Sequence, residues 1–207
     1  MKISYALTCC NEEEIINLIK FLHTNKRDED EIYVLLDKPK CSEFLLNALY
    51  KFSSSDWITL KESKFNGDFS EWKNELNNMC KGDFIVNLDA DEMISKDFMN
   101  LLPEILKNNS EVEFYWVPRE NYVLGITPEH IQKWDWKLDK QDRINYPDFQ
   151  GRIYKNDPDK IKWSGKVHEK ITGYKHFSTL PDNPIFSINH TKTIEKQELQ
   201  NNYYNTL

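Results

Sequence analysis

Ile3 to Thr8 is a mostly apolar run, and polar residues dominate after it through Glu14. The run predicts a buried first strand. Ile15, Leu18, Ile19 and Leu22 then recur at helical spacing, with Asn11 as the expected cap. Asp28-Glu29-Asp30-Glu31 reads as a solvated loop. Ile32 to Leu36 forms a second strand, closed by Asp37, and Phe44, Leu45, Ala48, Leu49 and Phe52 mark a second helix. Trp57 to Leu60 is a short third strand. A third helix runs from about Ser70 to Cys80 on an apolar face of Trp72, Leu76 and Met79, with Gly82 as its stop. A fourth strand ends in Asp89-Ala90-Asp91-Glu92.

Strand and helix alternate with short links, which implies an α/β protein with a parallel sheet and helices on both faces. Ligands of such sheets bind beyond the carboxyl ends of the strands. Three polar clusters fall there: Thr8 to Glu12, Asp37, and Asp89 to Glu92. After Asp91 the pattern changes. Ser95 caps a helix carrying Phe98, Leu101, Leu102 and Ile105, which Pro103 should kink or split. Glu111 to Val117 is a strand, and periodicity is weak from Pro118 to Asp148. Ile185 to Asn189 is the last strand and Thr193 to Tyr204 a terminal helix. The first half, 1–117, reads as nucleotide-binding and the second, 118–207, as substrate-specific, within one domain. Tyr203-Tyr204-Asn205 stand near the end of the sequence, and a longer parent chain stays open.

The bulk numbers narrow the partners. Of 207 residues, 39% are hydrophobic, enough for a real core, and the net charge of −7 argues against a nucleic-acid partner while leaving room for a single nucleotide. Cys9, Cys10, Cys41 and Cys80 form no Cys-x-x-Cys pair, so buried reduced thiols are expected and a zinc site has little support. No apolar run reaches the length of a membrane span, and acidic residues follow the N-terminus too soon for a secretory signal. The expectation is a cytoplasmic protein, with peripheral membrane contact still compatible.

No glycine-rich phosphate loop is present, since the six glycines are scattered. Any phosphate must be met by metal and basic side chains. Asp89 and Asp91, two apart on a strand, point to one side and suit a hard divalent cation carrying a phosphate ligand. The plain alternative is two surface aspartates capping the next helix. An EF-hand fails for want of a glycine at the sixth loop position. A phosphatase of the haloacid-dehalogenase type would place Thr or Val two residues beyond the second Asp and near the N-terminus; Met93 stands there, at mid-chain.

Four ordered blocks carry a resemblance. Thr8-Cys9-Cys10-Asn11-Glu12-Glu13, Asp37, Trp72-Lys73-Asn74 and Gly82 to Glu92 resemble glycosyltransferase family 2, a family with the GT-A fold: a Rossmann-like, mostly parallel sheet flanked by helices. Gln150-Gly151-Arg152-Ile153-Tyr154, Trp163-Ser164-Gly165-Lys166-Val167-His168-Glu169 and Ile188-Asn189-His190 resemble its lipopolysaccharide-core branch. Lys73 stands where arginine is common, keeping the charge without the bidentate fork.

The resemblance implies a nucleotide-sugar donor, UDP-linked if Asp37 accepts a uracil ring N–H, and a glycan or glycolipid acceptor. Thr8, Cys10, Glu12 and Ala90 would line the donor site, with Lys73 facing base or diphosphate. Asp91 would hold Mn²⁺ or Mg²⁺, with Asp89 on ribose or metal, and His190 would complete metal or diphosphate binding. Glu169 would serve as the base of an inverting displacement; the bland alternative is a surface salt bridge with Lys166 or Lys170. His168 would contact the acceptor or hold Glu169. From Gln150 to His176 there are seven Lys/Arg against three acids, which could cover a diphosphate or be a solvated face. Trp134, Trp136, Tyr122 and Tyr146 would offer a sugar-stacking platform or simply pack. The rivals are a nucleotidyltransferase and a non-catalytic sugar-nucleotide or glycan-binding module.

Overall fold

The computed structural model describes residues 1–204; Asn205 lies outside the described residues. Four parallel strands, β1 (Ile3–Cys9), β2 (Glu31–Asp37), β3 (Ile58–Ser63) and β4 (Phe84–Asp89), stand in the order β3-β2-β1-β4. Beyond β4 the sheet continues through β7 (Asp148–Lys155), β6 (Phe114–Leu124), β11 (Ile188–Thr193) and β5 (Glu92–Met93). β7 is antiparallel to both β4 and β6, and β10 (Phe177–Thr179) extends the edge of β6 ahead of β11. The carboxyl ends of β1, β2 and β4 lie side by side, as the alternation predicts.

Alternate strand residues feed two cores. Ile3, Tyr5 and Leu7 pack with Leu18 and Leu22 of α1 (Ile15–Asn25), Leu45 and Leu49 of α2 (Glu43–Ser53), and Phe98 and Leu102 of α4 (Lys96–Asn108). On the other face Ala6, Leu35 and Tyr154 pack with Trp72 and Leu76 of α3 (Phe69–Asn77) and with Trp163 and Ile171 of the hairpin β8 (Lys162–Ser164) and β9 (Lys170–Thr172). Helices on both faces match the near-continuous burial of β1, β2 and β4, whose successive side chains point to opposite sides of the sheet.

Several boundaries differ from the sequence expectation. Asn11 does not cap α1; its Oδ1 accepts the Ser42 N–H at 2.8 Å, tying the first loop to the start of α2. Asp30 is not solvated, because its carboxylate accepts the Ile3 N–H and the Arg27 guanidinium and lies buried. α3 starts one residue early because Asp68 caps it, and it ends at Asn77. Gly82 is therefore no helix stop. It sits where a Cβ would lie 2.8 Å from the Ser4 backbone nitrogen, so the residue type permits close approach to β1. Ser95 does cap α4, and Pro103 does not split it, since its apolar face stays packed on the sheet. β6 runs on past Pro118 to Leu124, its two edges flanked by β7 and by β10 and β11. β11 begins three residues late because Asn183 organises a turn over 183–186. His190 is consequently within a strand, not after one. Cys9 and Cys80 are buried, but Cys10 and Cys41 are only half-buried.

Candidate active site

β4 ends at Asp89, so Asp91 lies in the turn to β5 and the strand repeat does not set its direction. The two carboxylates take different partners. Asp89 Oδ2 accepts from Arg152, while Oδ1 accepts from Thr8 Oγ1 at 3.4 Å and lies 3.8 Å from Lys73 Nζ. Asp91 Oδ2 lies 3.6 Å from His190 Nε2 and 3.3 Å from Lys196 Nζ of α6 (Ile194–Tyr204). Burial alone would raise both pKa values. For Asp89 the charges of Arg152 and Lys73 outweigh it and hold the carboxyl far below the usual range. For Asp91 the hydrogen bond and charge that His190 supplies when its ring is protonated, with Lys196, outweigh burial and bring it down to about 2.

Glu92 organises the turn between them. Its Oε2 accepts the Asp89 N–H at 3.1 Å, and Oε1 receives Arg152 at 2.6 Å and Arg119 at 3.0 Å. Arg119 also donates to Asp148, which takes Asn121 Nδ2 at 2.8 Å, and Asn121 Oδ1 meets His190 Nδ1 at 2.7 Å. A buried guanidinium needs such a ring of acceptors, because an unpaired buried charge is strongly destabilising. Arg152, 4% exposed, thus has two carboxylates.

The N-terminal loop adds a second group. Glu12 Oε2 accepts the N–H groups of Cys10 and Asn11 at 2.7 and 3.0 Å, so its carboxylate shapes its own loop. Asp37 is buried; Oδ1 accepts the Phe65 N–H at 3.0 Å, and Oδ2 lies 4.0 Å from Cys10 Sγ and 3.7 Å from Lys40 Nζ. Burial, then the Glu12 and Asp37 charges, push the Cys10 thiol up to about 11, so it presents a neutral S–H.

Lys73 joins Asp89 to the loop between β8 and β9. Its Nζ is 2.7 Å from Glu169 Oε1 and stands 4.3 Å from the centroid of the Trp163 ring. The ion-pair partner of Glu169 is thus Lys73, and the expected alternative of Lys166 or Lys170 does not form. Next to Lys73, Asn74 exchanges two 2.9 Å hydrogen bonds with the Trp163 backbone, which fixes β8 against α3. Phe69 N–H to Lys166 O, 3.0 Å, pins the five-residue loop that carries Glu169. His168 is exposed in that loop at φ 57°, a left-handed conformation. Trp134 and Trp136 tilt against each other at 4.7 Å and pack on Val123, Ile144 and Ile194, and Tyr146 lies under the Arg143 guanidinium.

The fold thus brings Thr8, Lys73, Asp89 and Glu169 into one chain of contacts, and Asp91 with His190 into another. Sequence reasoning missed Glu92, Arg119, Asn121, Asp148 and Lys196 as parts of the site. Arg152 and Glu92 stood inside quoted blocks and were available signals. Lys196 carried none, since on a terminal helix it reads as solvated.

Among the described residues no three His, Cys, Asp or Glu are arranged to hold a metal. Mg²⁺ and Mn²⁺ do not need such a cage when phosphate oxygens and water complete the shell around one or two protein ligands. Asp91 would supply the carboxylate of that donor set, and the His190 imidazole beside it would add a nitrogen donor that suits Mn²⁺ better than Mg²⁺.

The network makes a pH prediction. Burial would raise the Asp148 pKa, but Arg119 and the hydrogen bonds of Asn121 and Gln150 outweigh it and lower it. A lowered folded pKa adds stability above the unfolded value, about 3.9, and loses it as pH falls through the folded one. Asp148→Asn is expected to be less stable at neutral pH by about 1–3 kcal/mol. It should also lose less stability than the wild type below about pH 4. Urea unfolding across pH checks both, and parallel curves would contradict it.

A twisted, mostly parallel sheet flanked by helices, with acidic residues at the β4 end, is the GT-A architecture. The model of "Glycosyl transferase family 2" matches residues 4–165, and the chain belongs to glycosyltransferase family 2. The chain is 27% identical over 130 residues to the lipopolysaccharide core biosynthesis glycosyltransferase LpsC of Rhizobium meliloti (strain 1021), covering 62% of this chain and 43% of that relative. It superposes on Staphylococcus aureus TarS 1–349 in complex with UDP-GlcNAc with a TM-score of 0.62 at 18% identity, over 93% of this chain and 59% of that one. The UDP complex of the same TarS fragment gives a TM-score of 0.63 at 16% identity, over 92% and 60%. The chain therefore spans less than two thirds of these proteins. Among the described residues no helix is long and apolar enough to cross a membrane.

Proposed function

We propose that this protein transfers a sugar from a nucleotide diphosphate sugar, UDP-linked, to a hydroxyl of a glycan or glycolipid, with inversion and with a divalent metal. The observation that carries this reading is Lys73, a buried ammonium 3.8 Å from Asp89 on the donor side and 2.7 Å from Glu169 on the other. An inverting displacement needs a base across the anomeric carbon from the leaving diphosphate. Family membership supports the donor class, as do the UDP-GlcNAc bound by TarS and the lipopolysaccharide-core assignment of LpsC.

In this reading residues 1–117 bind the donor and 118–207 the acceptor, in a cytoplasmic protein. Asp91 and His190 hold Mn²⁺ or Mg²⁺, which when bound neutralises the leaving diphosphate as a Lewis acid. Asp89, held by Arg152, faces the ribose or the ion. Thr8, Cys10, Asp37 and Ala90 line the nucleoside pocket, whose loop Glu12 holds in shape. Glu169 takes the proton of the acceptor hydroxyl as its oxygen bonds to the anomeric carbon, and the bond to the diphosphate breaks with its electron pair leaving on phosphate oxygen. Lys73 orients Glu169, and His168 contacts the acceptor or steadies that carboxylate. In a nucleotidyltransferase the attacking sugar phosphate is already ionised and would have no use for Glu169 as a base.

Incubation with a panel of nucleotide sugars and Mn²⁺ should release nucleoside diphosphate from one donor. Absence of release and of any metal-dependent thermal shift with every donor would sink the enzyme reading.

A further inference from the structure

We propose that Asn121 and Asp148 fix the tautomer of His190, so that its Nε2 lone pair faces Asp91 and the ring is set to ligate a divalent cation; the proposal rests on the reading of His190 as a ligand. The register of β6 and β11 puts Asn121 directly beside His190. Asn121 Nδ2 donates to Asp148 Oδ2 at 2.8 Å, and its Oδ1 lies 2.7 Å from His190 Nδ1. An amide donates on one side and accepts on the other, so its neighbours decide which way it points.

Asp148 decides here. Arg119 donates to its Oδ2 through Nε at 2.9 Å and Nη2 at 2.7 Å, and Gln150 donates to Oδ1 at 2.7 Å. An ionised carboxylate only accepts, so the Asn121 NH₂ faces Asp148 and the carbonyl faces the ring. A carbonyl also only accepts, so His190 Nδ1 carries the proton. In the neutral ring Nε2 then has the lone pair, since the bond made by one nitrogen sets the state of the other.

Asp91 Oδ2 lies 3.6 Å from that nitrogen. A divalent cation held there would find a carboxylate oxygen and an imidazole nitrogen close together, with phosphate oxygens and water to complete its shell. Lys196 Nζ approaches the same carboxylate from α6 at 3.3 Å and is shared with Glu14 at 3.1 Å. His190 itself is 7% exposed, so water competes little for its ring nitrogens. Asn121 and Asp148 are positioning residues: they act on the ion only through His190. Supporting partners of metal-bound histidines commonly act this way, and losing one typically weakens metal binding by about 10- to 100-fold.

The tautomer is directly measurable by long-range ¹H–¹⁵N NMR on the chelator-treated protein in alkaline buffer. The expected spectrum places the His190 proton on Nδ1. Asn121→Leu should move it to Nε2, the form imidazole favours in water, and weaken Mn²⁺ binding by about 10- to 100-fold in calorimetry. If circular dichroism shows that Asn121→Leu does not fold, Asn121→Ser, too short to reach the ring, takes its place. A proton on Nε2 in the wild type overturns the proposal, and so does an Mn²⁺ affinity unchanged by the substitution. Neither measurement uses donor or acceptor. A protein that transfers no sugar yet carries the Nδ1–H tautomer would therefore refute the proposed function alone.

Discussion

Asp91→Ala is expected to abolish the part of UDP binding that depends on Mn²⁺, while leaving the fold intact. Asp91 is the carboxylate whose neighbours can spare it. Lys196 keeps Glu14 at 3.1 Å, and His190 keeps Asn121 at 2.7 Å. Asp89 is different. Removing it would leave the buried Arg152 with Glu92 alone, and a buried charge that loses a partner is destabilising by about 3–5 kcal/mol. Loss of nucleotide binding in Asp89→Ala would then confuse unfolding with chemistry, whereas Asp91→Ala isolates the cation. Calorimetric titration with UDP, with and without Mn²⁺, should show at least a tenfold loss in the presence of metal, about 1.4 kcal/mol. It should show little change without it. An unaltered affinity with Mn²⁺ would remove Asp91 from the site.

Glu169→Gln is expected to stop transfer while preserving donor binding. The amide keeps the shape of the side chain but cannot take a proton from the acceptor hydroxyl. General-base catalysis typically contributes about 10²- to 10⁴-fold, which sets the expected fall in kcat. Donor affinity should hold, because the substitution lies across Lys73 from Asp89, and Lys73 retains both Asp89 and the face of Trp163. Thermal melting of the variant checks that the loop over 165–169 keeps its place. Full turnover in Glu169→Gln would make this carboxylate a structural partner of Lys73 and nothing more.

The extent to which the site was legible follows from the kind of interaction at each residue. Ser95 caps α4 through a bond three residues long, and such a local bond is readable from sequence. Asp89 falls at a strand end because the apolar run before it can only be buried. Lys73 and Asn74 stood out as a pair, yet their partners Glu169 and Trp163 lie 89 or more positions further along the chain. Asn11 was misread as a cap because a polar residue before a helix fits that role locally. Its bond to Ser42 forms only once β1 and β2 stand side by side.

The sequence by itself determined the alternation of strand and helix, the parallel half of the sheet, and the position of Asp89 to Glu92 at a carboxyl edge. Apolar runs, helical spacing and the polar links between them are local properties, and they suffice for that. Only the tertiary structure decided which carboxylate meets which cation. β7 enters antiparallel between β4 and β6, bringing Arg152 to Asp89 and Glu92. β11 joins β6 in a register that puts His190 against Asn121. Side-chain pairing at a few ångströms depends on strand order and register, which no residue pattern encodes. The electrostatics that separate Asp89 from Asp91 therefore appear only when the sheet is complete.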